Sequence, residues 1–208
     1  MNFKKQREEM IKNQIFSRGI TDREILKAFN QVPREEFVGK EYRDITYSDQ
    51  PLPIDYGVTI SQPYIVALMC QILDVNKSDK ILDIGTGSGY QAAILSHLCK
   101  KVVSIERIRE LSDNARVRLS NLGYENIEVI YGDGFKGYEK ESPYDGIVSA
   151  ASTEEISKSW KEQLKLNGRI VFPESKNGVQ RLVEIVKKEN GFEKFYHGYV
   201  RFVPLVRE

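Results

Sequence analysis

From about residue 58 onward, short apolar runs rich in β-branched residues alternate with stretches that carry one apolar helical face. The runs predict strands at residues 80–84, 102–105, 127–131, 146–149 and 169–172. Helices are predicted at residues 91–99, 108–122 and 154–164; the second is the clearest, with Ile108, Leu111, Ala115, Leu119 and Leu122 on one face and Gly123 at its end. Because strands and helices alternate, we expect a doubly wound, mostly parallel α/β sheet with helices on both faces.

The two ends of the chain carry different patterns. Residues 3–14 and 22–30 have helical spacing, with Thr21 or Asp22 as a cap, whereas residues 42–56 are rich in Pro, Asp, Tyr and Ser and predict an irregular segment. At the other end, residues 181–187 and 192–203 predict strands joined by an Asn190-Gly191 turn, a C-terminal antiparallel hairpin at one sheet edge. We therefore predict one structural domain, in which residues 1–57 form an N-terminal helical extension packed on a core of residues 58–208.

Composition narrows the function classes. The 208 residues include 31 basic and 30 acidic side chains, a net charge of +1, which argues against nucleic acid or an anionic membrane as a partner. Cys70 and Cys99 lie in apolar segments and predict buried thiols, and with only two histidines we expect no metal site. The charged N-terminus has no apolar signal segment, and no apolar run could span a bilayer. We expect a cytoplasmic, monomeric protein.

The strongest motif follows the strand at residues 80–84. It reads Asp83-Ile84-Gly85-Thr86-Gly87-Ser88-Gly89-Tyr90 and precedes a predicted helix, so its glycines allow a tight turn and close approach of a ligand to the helix N-terminus. A dinucleotide-binding turn would have its third glycine at position 90, where this chain has Tyr90. The Asp83 carboxylate would repel a pyrophosphate but could accept hydrogen bonds from a methionyl ammonium. Both features favour S-adenosyl-L-methionine over a nicotinamide cofactor.

Two further acids follow the next two strands. Glu106 lies 19 residues after Gly87, where a carboxylate can accept both ribose hydroxyls, and Asp133 is placed to receive an adenine amino group. Taken separately, Glu106 could be a surface acid at a helix start and Asp133 a turn former. Their joint position with the glycine turn, at three successive strand ends, favours a cofactor site.

At this point the residues resemble a known family. Residues 82–93 closely resemble the first motif of the protein-L-isoaspartate O-methyltransferases, class I S-adenosylmethionine-dependent enzymes, and Thr59-Ile60-Ser61-Gln62-Pro63 matches the more selective loop that this family places before it. Further matching segments are residues 32–38, 132–134, 143–145 and 201–205. The resemblance covers roughly residues 21 to 206 and implies the class I methyltransferase fold.

The resemblance also implies an activity and a set of site residues. The family methylates the α-carboxylate of L-isoaspartyl residues in damaged proteins and peptides, and the ester then collapses to a succinimide whose hydrolysis returns some aspartate. The serine matching Ser61 has the active-site role, and the loop touches cofactor and substrate. The positions expected to bind the cofactor are Thr59, Ile60, Ser61, Gln62, Asp83, Gly85, Thr86, Gly87, Gly89, Glu106, Asp133 and Gly134.

Several positions depart from the family pattern. Val58 stands where the family usually has glutamine, Asp55 where glycine is common, Arg109 where it has proline, and Glu174-Ser175 where it has Val-Gly. Val58 and Asp55 flank the substrate loop, so the sequence determines substrate choice and turnover less firmly than cofactor binding.

Carboxyl methylation needs no general base, and the sequence shows no obvious candidate for one. A terminal-type carboxylate with a pKa of ~3.3–3.7 is already ionised near neutral pH, so no general base is required, and none is evident. Alignment of the acceptor oxygen with the methyl group and the sulfur can by itself lower the activation barrier by on the order of 7–11 kcal/mol. Ser61 would hold one carboxylate oxygen; alternatively, it only caps the helix that Pro63 starts.

Three other functions stay open on the sequence. The first is a methyltransferase of the same fold that acts on a small molecule or another protein group. The second is a cofactor-binding protein without turnover, and the third is a nicotinamide-dependent oxidoreductase.

Overall fold

In the computed structural model, which describes residues 2–207, a seven-stranded mixed sheet forms the centre of the protein. The strands are β3 (Lys80–Ile84), β4 (Lys101–Glu106), β5 (Ile127–Tyr131), β6 (Tyr144–Ser149), β7 (Leu164–Lys176), β8 (Val179–Lys188) and β9 (Gly191–Tyr199), and they lie in the order β5-β4-β3-β6-β7-β8-β9. Neighbours from β5 to β7 are parallel, and β8 and β9 are antiparallel. Short strands β1 (Leu52–Pro53) and β2 (Thr59–Ile60) pair separately. The predicted fold is confirmed.

Six α-helices flank or precede the sheet in the described residues. They are α1 (Phe3–Met10), α2 (Arg23–Gln31), α3 (Pro63–Leu73), α4 (Tyr90–Ser96), α5 (Arg109–Asn121) and α6 (Lys158–Gln163). The predicted apolar face of α5 is confirmed, because Leu111, Ala115 and Leu119 are buried. Asp22 is the cap of α2, and its carboxylate accepts hydrogen bonds from the N–H groups of residues 24 and 25. No helix in residues 2–207 is long and apolar enough to cross a membrane.

The N-terminal extension contributes to the main core. Helix α1 continues through a π-helical segment, Ile11–Ile15, and a short 3₁₀ turn to Gly19, whose φ of 92° ends the helix. Met10, Ile15 and Phe29 are buried in the same apolar cluster as Ile81 and Val102 of the sheet. This packing is the contact expected of an extension that covers the sheet, while the boundary at residue 58 stays a prediction.

The segment between β6 and β8 differs from the prediction. Helix α6 begins at Lys158 rather than near residue 154, because Ser157 is its N-cap, with extended backbone and a hydroxyl that accepts the N–H of Ser159. Before it, residues 152 and 153 bridge to Pro204 and Glu174. Strand β7 is much longer than residues 169–172, and it turns into β8 at Asn177-Gly178, where both residues have positive φ. The Asn-Gly pair is a hairpin signal that the sequence prediction did not use.

The last hairpin is also displaced. Strands β8 and β9 register Lys188 opposite Gly191, so the turn residues are 189 and 190 rather than Asn190-Gly191. Strand β9 ends at Tyr199 instead of continuing to residue 203. Gly198 has a φ of 106°, and the chain then leaves the sheet so that the Val203 carbonyl accepts the N–H of Ser152 at 2.8 Å. This departure brings the C-terminal segment to the carboxyl ends of β3 and β6.

Strand order creates a crevice at those carboxyl ends. From β3 the chain crosses through α4 to β4 and then β5 on one side, and it returns to β6 on the other side of β3. In open α/β sheets, ligands bind where the direction of winding reverses. The region between the ends of β3 and β6 is therefore the expected position of the functional site.

Candidate functional site

A cavity of about 220 Å³ opens at the carboxyl ends of β3 and β4. We call it the first cavity. Its walls come from six parts of the chain, and the lining residues include Tyr56, Gly57, Val58, Thr59, Ile84, Gly85, Gly87, Ile105, Glu106, Ile108, Gly134, Ala150, Ala151, Val203, Pro204 and Leu205. The apolar side chains form most of this wall, and Glu106 supplies a carboxylate.

The glycine turn adopts the conformation that its composition predicts. Gly85, Gly87 and Gly89 have φ values of 89°, 51° and 90°, a region that side chains with a Cβ rarely adopt. Gly134 is required for a different reason, because a Cβ there would lie 2.5 Å from Cγ2 of Ile84. The chain thus keeps the floor of the first cavity free of side chains.

Glu106 occupies the edge of the first cavity and also fixes its floor. Its Oε2 accepts the N–H of Gly87 at 2.9 Å, and its Oε1 accepts the N–H of Ile108 at 3.0 Å. Only 7% of the residue is exposed. A carboxylate has about four acceptor positions, so the two backbone bonds leave capacity for a pair of ligand hydroxyls. The predicted ribose contact fits this geometry.

Asp83 does not lie at the mouth of the cavity. Its carboxylate is fully buried and accepts Ser104 Oγ at 2.7 Å and Gln91 Nε2 at 2.8 Å. Burial raises the pKa of Asp83 to about 6, although the two hydrogen bonds oppose that shift. Ser104 Oγ also lies 2.6 Å from Thr86 Oγ1. Asp83 therefore stabilises the glycine turn from within the sheet, and the expected ammonium contact does not fit this geometry.

Asp133 is placed as a turn-forming residue. Its Oδ1 accepts the N–H of Phe135 at 2.9 Å, and Lys136 Nζ lies 3.7 Å from Oδ2. The side chain is largely buried and is not part of the wall described for the first cavity. Its predicted adenine contact stays a prediction. Thr86 and Gly89 also lie in the turn outside that wall, and Ile60 is buried against β1.

A second cavity, of about 750 Å³, adjoins the first. Thr59, Ala150 and Val203 line both cavities, so the two spaces share a wall. The remaining lining residues are Pro51, Ser61, Gln62, Ile65, Tyr199, Val200, Arg201 and Phe202. The described lining contains no carboxylate and no imidazole, while Arg201 is cationic. This composition suits an anionic ligand that needs no proton removed.

The loop Thr59–Gln62 is positioned by the turn before it, by pairing with β1 and by side-chain hydrogen bonds of Gln62. Tyr56 and Gly57 precede it with φ values of 64° and 71°, and Ile60 pairs with Leu52. The side-chain amide of Gln62 donates to the carbonyl of Asp49 at 3.0 Å and to its Oδ1 at 2.8 Å.

Ser61 is not the cap of helix α3. The N-cap position is Gln62, which makes no side-chain capping bond, and Pro63 is the first helical residue. Helix α3 therefore begins without help from the Ser61 hydroxyl, which leaves the residue in the wall of the second cavity. The capping alternative is not supported, and the catalytic role stays a prediction.

Two groups of site residues escaped the sequence prediction. Ala150 and Ala151 follow β6 without any distinctive motif, and Val203 to Leu205 were assigned partly to a strand. The matching C-terminal segment was the available signal, since the family resemblance included residues 201–205. Of the departures from the family pattern, Val58 lines the first cavity, whereas Asp55 faces a separate groove that includes Arg118.

Comparison with known proteins identifies close relatives. The model of the family "Protein-L-isoaspartate(D-aspartate) O-methyltransferase (PCMT)" matches residues 5–208. The protein-L-isoaspartate O-methyltransferase of Methanoculleus marisnigri is 47% identical over 203 residues, 98% of this chain and 92% of the relative. A second such protein, numbered 2, from Archaeoglobus fulgidus is 49% identical over 187 residues, 88% of this chain and 85% of the relative.

The chain is also similar to solved structures of protein-L-isoaspartate O-methyltransferases. A protein-L-isoaspartate O-methyltransferase structure superposes with a TM-score of 0.88 at 32% identity, and the match covers 95% of this chain and 65% of that chain. A Plasmodium falciparum structure, described as a protein-L-isoaspartate O-methyltransferase in complex with S-adenosyl-L-homocysteine, superposes with a TM-score of 0.84 at 26% identity over the whole of both chains.

Proposed function

Because the chain belongs to the protein-L-isoaspartate O-methyltransferase family, we propose that it transfers a methyl group from S-adenosyl-L-methionine to the α-carboxylate of L-isoaspartyl residues in damaged proteins and peptides. The ester then forms a succinimide without the enzyme, which begins repair. The observation that carries this proposal is the pair of adjoining cavities, one behind the glycine turn and one beside Ser61, with Thr59, Ala150 and Val203 between them.

The first cavity has features that fit the cofactor. Glycines at positions 85, 87 and 134 leave its floor without side chains, and Glu106 retains acceptor capacity for the ribose. Ile84, Ile105 and Ile108 offer apolar surface to an adenine ring. We assign Thr59, Gly85, Gly87, Glu106 and Gly134 as direct contacts. Asp83, Thr86 and Gly89 support the turn. Ile60 and Gln62 hold the loop that carries Thr59. Asp133, just after the end of β5, is the proposed acceptor for the adenine amino group. When bound, the cofactor supplies a sulfonium-activated methyl group.

In the second cavity the protein has to position an anion. We propose that the Ser61 hydroxyl donates a hydrogen bond to one oxygen of the isoaspartyl carboxylate and that Arg201 attracts the anion to the cavity. The carboxylate enters already ionised, so the lining requires no general base. The loop Thr59–Gln62 orients the acceptor oxygen toward the shared wall, and this positioning is the protein's main contribution to the rate.

A methyl-transfer assay on paired peptides tests the proposal. The two peptides differ only in having isoaspartate or aspartate at one position, and radiolabelled S-adenosylmethionine supplies the methyl. We expect label only in the isoaspartyl peptide, and we expect mild alkali to release it as it would from an ester. Equal labelling of both peptides, alkali-stable label, or labelling of small molecules alone would contradict the proposal.

Isoaspartyl-containing proteins are thus the proposed partners. We also propose a monomeric protein of the cytoplasm that needs neither nucleic acid nor a membrane. The near-neutral net charge of +1 and the two buried cysteines support this assignment. Light scattering at micromolar concentration tests the oligomeric state; a dimer mass would contradict it.

A further inference from the structure

Arg34 is a fully buried arginine that contacts the backbone of the substrate loop. It lies in a 3₁₀ turn, Arg34–Glu36, after Pro33, and its exposed fraction is 0%. Its Nη2 donates to the carbonyl of Ser61 at 2.9 Å, and its Nε donates to the carbonyl of Thr46 at 2.9 Å. The guanidinium also lies over the ring of Tyr90, 4.7 Å from the ring centroid.

This guanidinium has no carboxylate partner among residues 2–207 that would explain its burial. The neighbouring Glu35 pairs with Arg7 and accepts the hydroxyl of Tyr47 instead. Burial lowers the pKa of Arg34, and its Nη1 has no hydrogen-bond partner within the described residues. An isolated buried charge reduces stability, and an apolar side chain of similar volume would fill the same space at lower cost. Stability alone therefore does not account for an arginine here.

The contacts of Arg34 join the two halves of the site. Ser61 belongs to the loop that lines the second cavity, and Tyr90 is the first residue of α4, directly after the glycine turn. The ring of Tyr90 is itself fixed by edge-on contacts with Phe29 and Phe37. The Arg34 guanidinium is planar, with its donors in a fixed arrangement, so it sets the position of the Ser61 peptide relative to the start of α4.

We propose that Arg34 is a positioning residue for methyl transfer, which holds the Ser61 carbonyl and thereby aligns the substrate loop with the cofactor turn. This inference rests on the proposed function. Its effect is on alignment of the acceptor oxygen, to which transfer rates are highly sensitive. A residue that only anchored the N-terminal extension would change stability and leave the kinetic constants of the folded enzyme as they are.

The test compares Arg34→Lys and Arg34→Met with a matched control, Gln14→Leu. The amide of Gln14 donates to the carbonyl of Tyr47 at 2.8 Å, so it anchors the same segment as Arg34 without touching Ser61. We expect both Arg34 variants to lose at least tenfold in kcat/KM for an isoaspartyl peptide, mostly in kcat. Affinity for S-adenosyl-L-homocysteine should stay within threefold of wild type. Lysine should not restore the turnover, because one ammonium cannot replace the fork of donors.

Gln14→Leu should lower the melting temperature and leave kcat and KM unchanged below the transition. The inference is overturned if Arg34→Lys has wild-type kcat/KM, or if Gln14→Leu shows the same loss of kcat. It is also overturned if the Arg34 variants lose affinity for S-adenosyl-L-homocysteine as strongly as they lose kcat/KM for the peptide. Failure of both Arg34 variants to fold would also overturn it, since the residue would then act on the fold as a whole. Wild-type protein without activity on isoaspartyl peptide would instead refute the proposed function.

Discussion

The cofactor side of the site and the substrate side are built in different ways. The floor of the cofactor side comes from consecutive strands and turns, and its bonds join near neighbours in the sheet, such as Asp83 with Ser104 and Glu106 with Gly87. The substrate side combines the loop around Ser61, the buried Arg34 and the C-terminal segment that includes Arg201. The floor of the cofactor side is thus part of the sheet, whereas the substrate side depends on packing between distant segments.

The glycine turn and the substrate loop are therefore held by different kinds of contact. On the cofactor side, backbone conformation and buried hydrogen bonds hold the turn before any ligand arrives, which reduces the cost of ordering it on binding. On the substrate side, the loop Thr59–Gln62 is positioned by residues from the N-terminal extension, among them Arg34 and Asp49. We expect substitutions of residues that line the first cavity to change cofactor affinity, substitutions of the buried residues beneath the turn to change stability, and substitutions on the second side to change turnover.

The largest effect should come from Asp83→Asn, measured as stability against pH. Burial raises the pKa of Asp83 to about 6 from its ordinary 3.8, so between these values the folded protein keeps a proton that the unfolded chain has released. That contribution to stability is complete below the unfolded value of 3.8 and is lost as pH rises through the folded pKa of about 6. The loss amounts to about 3 kcal/mol over roughly two pH units, at 1.36 kcal/mol per unit.

Urea denaturation at several pH values checks this expectation. The wild type should lose stability relative to Asp83→Asn as pH rises from ~4 through the folded pKa of about 6, and the difference should be constant well above that pKa. Asparagine can keep the bond from Ser104, and rotation of the Gln91 amide would present its unpaired Oε1 to the new N–H donors. Affinity for S-adenosyl-L-homocysteine should change by no more than a few fold. A relative gain of stability with rising pH would mean that the carboxyl ionises more easily when folded.

Glu106→Ala should have the next largest effect, on cofactor affinity. The substitution removes the acceptor of the Gly87 N–H and the proposed partner of the ribose hydroxyls. Loss of hydrogen bonds to a charged group should cost about 1.5–3 kcal/mol, roughly 10- to 150-fold in affinity. Calorimetry with S-adenosyl-L-homocysteine measures the change. Glu106→Gln is the matched control and should lose less, and unchanged affinity in a folded Glu106→Ala protein would remove Glu106 from the site.

The same contrast explains which features were predictable from sequence. The glycine turn, Glu106 and the parallel strands depend on local patterns, because adjacent strand ends meet at one sheet edge. Asp83 was placed wrongly at the cavity mouth, since local sequence does not reveal that Ser104 and Gln91 enclose it. Arg34 lay within a recognised family segment, but its contact with Ser61 joins residues far apart in the chain.

Ser61→Ala should affect catalysis and spare the cofactor side. Loss of a hydrogen bond to the substrate carboxylate should cost about 1.5 kcal/mol, roughly tenfold in kcat/KM. The melting temperature should stay close to that of the wild type, because Ser61 does not cap α3. Steady-state kinetics and thermal denaturation on the same preparation separate the two effects. A variant with full activity would end the catalytic assignment, and a stability loss without a kinetic one would restore the capping role.

The smallest expected effect is a nearly flat dependence of turnover on pH from 6.5 to 8.5. A carboxylate acceptor with a pKa of ~3.3–3.7 is fully ionised across this range. An amine acceptor with a pKa near 10.4 would lose roughly tenfold in rate per pH unit toward acid, because only its neutral form attacks. The pKa of Asp83, about 6, lies just below this range, so at pH 6.5 about a quarter of the folded molecules keep that proton, a change too small to produce a tenfold slope. Initial rates at subsaturating peptide, with folding checked at each pH, provide the measurement. The carboxylate assignment requires less than a twofold change. A tenfold slope with an alkali-stable product would identify an acceptor that must first lose a proton, for which the described lining of the second cavity offers no carboxylate and no imidazole.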